Sequence, residues 1–301
     1  MKVDVVDAQG NKTKKVDLPS QFSEEVRPDL IQRAVLAVQS TDRQPYGTNI
    51  LAGTRQVVKL SRRRRQFKTS YGHGISRVPR KALWHRGRQF GWVGAFAPGT
   101  VKGRKANPPK AEKIWAQKIN IKEKRKAVRS ALAATLHADL VKLRGHRFKE
   151  LFPVIDAKME FVSKAKEVEA FFYKIGLADE LTRVAERRVR AGKGKVRNRP
   201  YKIKKGPLLV VSQQCPLVTA AQNIPGVEVC IVTHLNASLL APGCMPGRLT
   251  LFTEQAMDRL AKEQLFMPEV KLAKKEKVVQ APKVVAKPVV AKASPKKVVK
   301  Q

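Results

Sequence analysis

The chain predicts an α/β fold, a mostly parallel sheet flanked by helices, with a long extended non-globular internal loop, and three observations carry the prediction. Beyond about residue 150, short β-rich runs alternate with helical patterns, the order expected of crossover units on a parallel sheet. The first 18 residues read as a hairpin, which supplies strands at the other end of the chain. Between them, from Arg43 to Ala111, both periodicities stop: these 69 residues carry eleven Arg and six Lys without one Asp or Glu.

Each element has a local reason. Lys2–Asp7 and Lys12–Leu18 are strand-like runs joined by Ala8-Gln9-Gly10-Asn11, where Gly and Asn provide hairpin-turn chemistry. Pro28-Asp29 opens a helix to about Ser40, with Leu30, Ile31, Ala34, Val35 and Val38 as its apolar stripe. After Asn107-Pro108-Pro109 helical pattern returns. Trp115 is read as a packing residue in a helical context. Asn120 and Glu123 stand at capping-box spacing, and an alanine-rich run closed by Gly145 predicts one helix to about Arg144. Its small residues should face the sheet, leaving the side bearing Lys122, Lys124, Arg125, Lys126 and Arg129 free. Phe152-Pro153-Val154-Ile155 follows as a short apolar segment. Helices are then expected over 163–175 and 179–190, closed by Gly176 and Gly192. Strands are expected over 208–211, 227–232 and 248–252, with helices over 215–223 and 253–262, the last capped by Thr253.

The organisation that results is a globular domain from residues 1–43 and 111–270, an internal loop over 44–110, and a basic low-complexity tail over 271–301. The tail holds ten Lys against one Glu and is expected to be disordered alone. With 43% apolar residues the chain can build a core, but a net charge of +38 exceeds what solubility requires and calls for a polyanionic partner. No apolar run approaches the roughly 20 residues needed to span a bilayer, and the amino terminus lacks a signal-peptide pattern, so an intracellular soluble protein without a membrane partner is expected. Cys215, Cys230 and Cys244 form no CxxC pair and read as buried reduced thiols.

The acid-free stretch also contains seven aromatic residues and nine of the chain's 18 glycines. Arginine forks onto phosphates and stacks on bases, aromatic rings stack on unpaired bases, and glycine permits close backbone approach, so the combination points to RNA. The candidate RNA-binding residues there are Arg55, Arg62, Arg63, Arg64, Arg65, Lys68, Tyr71, Arg77, Arg80, Lys81, Trp84, Arg86, Arg88, Trp92, Lys102, Arg104 and Lys105. A second basic stretch adds Arg187, Arg188, Arg190, Lys193, Lys195, Arg197 and Arg199. Neither Gly72-His73-Gly74 nor Gly192-Lys193-Gly194 has the strand–glycine–helix setting of a nucleotide fold. No catalytic or metal motif is present, and carboxylates are missing where a nuclease would need them, so neither enzyme activity nor a cofactor is expected. A DNA-compacting chromatin protein, neutralising duplex phosphates through the basic tail, is the alternative.

Several blocks in one order resemble a known family: Gln44-Pro45-Tyr46-Gly47, Ser76-Arg77-Val78-Pro79-Arg80, Lys102 to Lys110, Asn120 to Arg125, Arg144-Gly145-His146, Leu235 to Gly243, and Pro246-Gly247-Arg248-Leu249-Thr250. They are similar to the archaeal and eukaryotic branch of ribosomal protein four of the large subunit, over essentially residues 1–265. The resemblance implies a structural role in the cytoplasmic ribosome: an α/β body, with a loop that enters large-subunit ribosomal RNA and helps form the nascent-peptide exit tunnel. Neighbouring large-subunit proteins and the nascent peptide are then further partners. By position, Arg77, Arg80, His85, Arg86 and Arg88 are the candidates for the tunnel tip; where bacterial relatives and some others carry a glycine triplet, this chain has Arg86-Gly87-Arg88-Gln89-Phe90-Gly91.

Overall fold

Val5 and Val6 are adjacent on strand β1 (Lys2–Val6), and both are fully buried. Neighbours on a strand point to opposite faces, so this sheet is covered on both sides. The computed structural model describes residues 2–58 and 61–268, and the expected tail over 271–301 lies outside them. Strand β1 turns into β2 (Lys12–Asp17) through a loop in which Asp7 accepts the backbone N–H groups of Gln9 and Asn11, each at 2.9 Å, while Gly10 adopts φ +89°. Lys12, Lys14 and Lys15 keep β2 polar at the sheet edge, where a bare apolar strand would invite aggregation.

Helix α1 (Pro28–Thr41) follows, and then the antiparallel pair β3 (Arg80–Arg86) and β4 (Gln89–Gly94). Helices α2 (Ile121–Thr135) and α3 (Ala138–Leu143), strand β5 (Val154–Ile155), and helices α4 (Ala165–Lys174) and α5 (Ala178–Ala185) come next. A small second hairpin, β6 (Arg187–Val189) and β7 (Tyr201–Ile203), precedes β8 (Leu208–Val211), α6 (Pro216–Gln222), β9 (Glu228–Ile231), α7 (Ala237–Leu240), β10 (Thr250–Thr253) and α8 (Glu254–Lys262).

The main sheet has the order β2-β1-β5-β10-β8-β9; β1 and β2 are antiparallel and the other pairings parallel, so the sheet is mixed. On one face Val5, Val154, Leu208, Val210 and Phe252 pack with Ile31, Ala131, Leu132, Leu240 and Leu260 of α1, α2, α7 and α8. On the other, Val6, Ile155, Leu209, Val211 and Leu251 pack with Phe172, Leu181 and Leu217 of α4, α5 and α6. The consecutive apolar residues of β5 and β8 thus serve two cores.

The expected helix over 120–144 is two helices, because Leu136 closes α2 and His137 takes an extended conformation before α3. Asn120 does cap α2, accepting from Lys122 N at 3.1 Å, but Glu123 faces Arg33 across to α1 at 3.4 Å. The basic side of α2 is not wholly free: Arg129 donates to Glu24 at 2.8 Å and to the Phe266 carbonyl at 2.6 Å. The helix expected to reach Arg190 ends at Ala185, where Glu186 turns extended and Arg187–Val189 pair with Tyr201–Ile203. Trp115 lies outside any helix.

Candidate nucleic-acid interface

The segment 44–110 leaves the body between α1 and α2, and its described residues join no strand of the main sheet. Only Thr69 and Ala95 are buried among its described residues. Where it departs, its two arms run beside each other. Gln117 N donates to Ser40 Oγ at 2.9 Å, and Thr48 N donates to the Pro109 carbonyl at 3.1 Å. A Cβ on Gly47 would come 2.7 Å from Ala111 N, and one on Gly53, at φ +77°, 2.5 Å from Arg104 N. Gln56 then donates to the Lys102 carbonyl at 2.9 Å. Trp115 fastens this base: Tyr46 stacks on it at 5.5 Å, and the Arg43 and Lys113 cations lie over its ring at 4.2 and 4.3 Å.

Farther along, the hairpin β3–β4 turns through Gly87-Arg88, with Gly87 at φ +56°. Glycine first in a two-residue loop is a hairpin signal, and it was available in the sequence; the surrounding charge and glycine masked it. One face of the hairpin carries an aromatic cluster. Phe90 and Trp92 stack at 5.6 Å, Phe67 and His85 meet Phe90 edge-on at 5.3 and 5.6 Å, and His73 lies 5.0 Å from Trp92. The middle of the segment is therefore a small folded unit with a defined register.

The candidate side chains divide by what they touch. Arg55, Arg62, Arg63, Arg64, Arg65, Arg86, Arg88 and Lys105 are exposed, and the segment contains no carboxylate to pair with them. Lys102 is exposed too, at φ +59°. Tyr71 lies under Arg77 at 5.3 Å, Arg104 over Phe96 at 5.9 Å and Lys68 over Phe67 at 5.6 Å. Arg80 donates to Ser76, to its carbonyl at 3.1 Å and its hydroxyl at 2.7 Å. His85, Arg86 and Arg88 gather at the hairpin turn, whereas Arg77 and Arg80 lie at its opposite end, about 20 Å of strand away. Lys81, Trp84 and Trp92 stand along the two strands between.

On the body, Arg187, Arg188, Lys193, Lys195, Arg197 and Arg199 are exposed on the second hairpin and its connection, while Arg190 donates to the carbonyls of Arg199 and Tyr201 at 3.0 and 3.2 Å. Three buried networks lie in the body, and the first two hold the chain just after this hairpin through the Lys205 and Gly206 carbonyls. Glu180 accepts both arms of Arg183, at 2.6 and 2.8 Å, and pairs with His146 at 2.7 Å, while Arg183 also holds the Lys205 carbonyl at 2.8 Å. Arg248, fully buried, donates to the carbonyls of Gly206 at 3.0 Å and Leu239 at 2.8 Å and to Glu228 at 2.7 Å. At the carboxyl ends of β8 and β10, Glu160 accepts Ser212 N at 3.0 Å, Ser212 Oγ at 2.7 Å and Thr253 Oγ1 at 2.5 Å. That end of a parallel sheet is where α/β proteins hold ligands. Here a side chain of the protein already takes those donors.

Known proteins match the sequence along most of the chain. Residues 16–263 match the Ribosomal protein L4/L1 family. The chain belongs to that family. It is 47% identical over 267 residues to the large ribosomal subunit protein uL4 of Nanoarchaeum equitans, covering 88% of this chain and all of that protein. It is 46% identical to the protein of the same name from Archaeoglobus fulgidus, over 86% of this chain and 98% of the relative, and 44% identical to that of Methanococcoides burtonii, over 87% and 98%. The matched family region contains both the segment 44–110 and the second hairpin. Among the described residues, no helix is long and apolar enough to cross a membrane.

Proposed function

We propose that this protein is a non-catalytic structural constituent of the large ribosomal subunit in the cytoplasmic ribosome. The observation that carries the reading is the segment 44–110: a basic excursion without carboxylates, fastened at its base and closed by a hairpin, inside a chain of the ribosomal protein L4/L1 family. The α/β body, built from residues on either side of it, acts as the anchor, and the excursion reaches into large-subunit ribosomal RNA as an extended loop. Arg62 to Arg65 and the cations of the second hairpin neutralise phosphates, so binding draws on counter-ion release. The Gly87-Arg88 turn, flanked by His85 and Arg86, is the part that reaches deepest and helps line the nascent-peptide exit tunnel. Neighbouring large-subunit proteins complete the set of partners.

The test is a salt series of binding to an archaeal large-subunit RNA transcript. Affinity should fall steeply as salt rises, and replacing Arg62, Arg63, Arg64 and Arg65 together by Ala should flatten the log–log slope by roughly 3. An unchanged slope would show that these four arginines do not meet phosphate. Equal preference for duplex DNA of the same length would favour the chromatin reading instead.

A further inference from the structure

We infer that Trp84 is a stacking platform for a single unpaired RNA base, seated on Gly91 and flanked by Lys81 and Arg86. This rests on the RNA-binding reading above and assigns the two tryptophans of the hairpin opposite roles.

The hairpin register separates them. Ala82 pairs with Trp92, but the next pairing is Trp84 with Gly91, so Leu83 is an extra residue that bulges out of β3. Phe90 and Trp92 share a face, and the aromatic cluster covers it. Trp92 is therefore spent on holding the hairpin together. The opposite face carries Lys81 across from Val93, Trp84 across from Gly91, and Arg86 across from Gln89.

On that face Trp84 is 59% exposed, and Leu83 and Val93 beside it are 61% and 41% exposed. One side of the indole is occupied: a Cβ on Gly91 would come 2.2 Å from Trp84 Nε1 and 2.6 and 2.7 Å from the adjoining ring atoms. Only a glycine leaves room for the ring there. Glycine at this position is a steric requirement of Trp84 rather than of the backbone, since Gly91 does not adopt a positive φ. Among the described residues no ring stacks on the other side of the indole, and no cation lies over it. An aromatic surface held in place on one side, open on the other and bordered by two cations in a carboxylate-free segment matches a nucleotide: the base on the indole, its phosphates on Lys81 and Arg86.

The test uses the full chain with Trp92→Phe and Trp115→Phe, so that Trp84 is the only indole. An archaeal large-subunit RNA transcript should quench its fluorescence, whereas polyphosphate at the same phosphate concentration, which has charge but no bases, should leave it nearly unchanged. In the otherwise native chain Trp84→Ala should weaken RNA binding roughly 5- to 150-fold. Trp84→Phe, which keeps a ring, should stay within a few-fold of the parent, and Gly91→Ala, which displaces the ring, should fall with Trp84→Ala. Quenching by polyphosphate as complete as by RNA, or Trp84→Ala binding RNA like the parent while its circular dichroism is unaltered, overturns the stacking role and leaves the RNA reading intact. Failure of the parent itself to prefer RNA over duplex DNA would overturn both.

Discussion

Arg248 has no contact with solvent, and its charge is tolerated because Glu228 and two backbone carbonyls surround it. Burial pushes its guanidinium below the usual range, and Glu228 opposes that; for Glu228 itself burial alone would raise the carboxyl, but the Arg248 charge and the Lys205 hydrogen bond hold it low. Removing one member of such a pair strands the other, so Arg248→Ala should cost about 3 kcal/mol or more, seen as a lower urea midpoint with an unchanged slope. The cluster around Glu180 adds a pH dependence. Burial would raise that carboxyl, but hydrogen bonds from Arg183 and His146 bring it down to about 2. Its contribution is complete above the ordinary value of 4.5 and is lost as pH falls from there toward 2. Burial lowers His146, with the Arg183 and Arg144 charges adding to it against the pull of Glu180, so the folded state resists its protonation and stability declines below about 6.5. Thermal unfolding followed downward in pH should therefore show loss beginning near 6.5 and steepening below 4.5, and Glu180→Gln should remove part of the steeper portion. Neither cluster was legible in the sequence: Arg248 opens the strand expected over 248–252 and Glu180 lies near the start of the helix expected over 179–190, and although Arg183 is only three residues from Glu180, the charged partner Glu228 of Arg248 and the His146 partner of Glu180 lie 20 and 34 residues away along the chain.

The main elements were legible where one local signal decided them. The Val and Leu run of β8 could only be a buried strand, Asn120 could only begin a helix, and the Asp7 to Asn11 turn carried its own hydrogen-bond acceptor. Errors came where two signals competed. The helix expected through Arg190 overran because nothing before Arg187 announces that Tyr201–Ile203 will pair with it, and β3–β4 was missed because strand alternation lay under charge and glycine. Caps allow the elements to be ranked. Asn120 makes a single exposed cap bond, so Asn120→Ala should cost about 1 kcal/mol. Thr253 is buried, caps α8 through Ala256 N at 3.3 Å, and also donates to Glu160. Thr253→Val keeps the shape but removes the cap and a donor from a buried carboxylate, and about 2–3 kcal/mol should be lost. Equal losses in chemical denaturation for the two variants would mean that Glu160 does not depend on Thr253.

At the scale of the whole molecule, the two sheet faces and the excursion rest on separate contacts. Among the described residues the cores contain none between Arg43 and Trp115, since Ile31, Ala34 and Val35 of α1 and Ala127, Ala131 and Leu132 of α2 meet directly. The excursion begins and ends at one place, where Ser40 meets Gln117 and Gly47 lies against Ala111. Deleting residues 45–108 and closing the gap with a few glycines should thus leave a cooperative folded domain, because a short connection spans neighbouring ends at little entropic cost. The same deletion removes most of the carboxylate-free cations, so binding to large-subunit RNA should weaken by orders of magnitude and lose much of its salt dependence. The second hairpin remains on the body with its exposed arginines, so a residual, weaker association is expected rather than none. Circular dichroism and a binding isotherm on the same preparation check both halves. A deletion that unfolds would show that the base contacts of Tyr46 and Trp115 support the α1–α2 packing, and one that binds as before would transfer the RNA-binding role to the body.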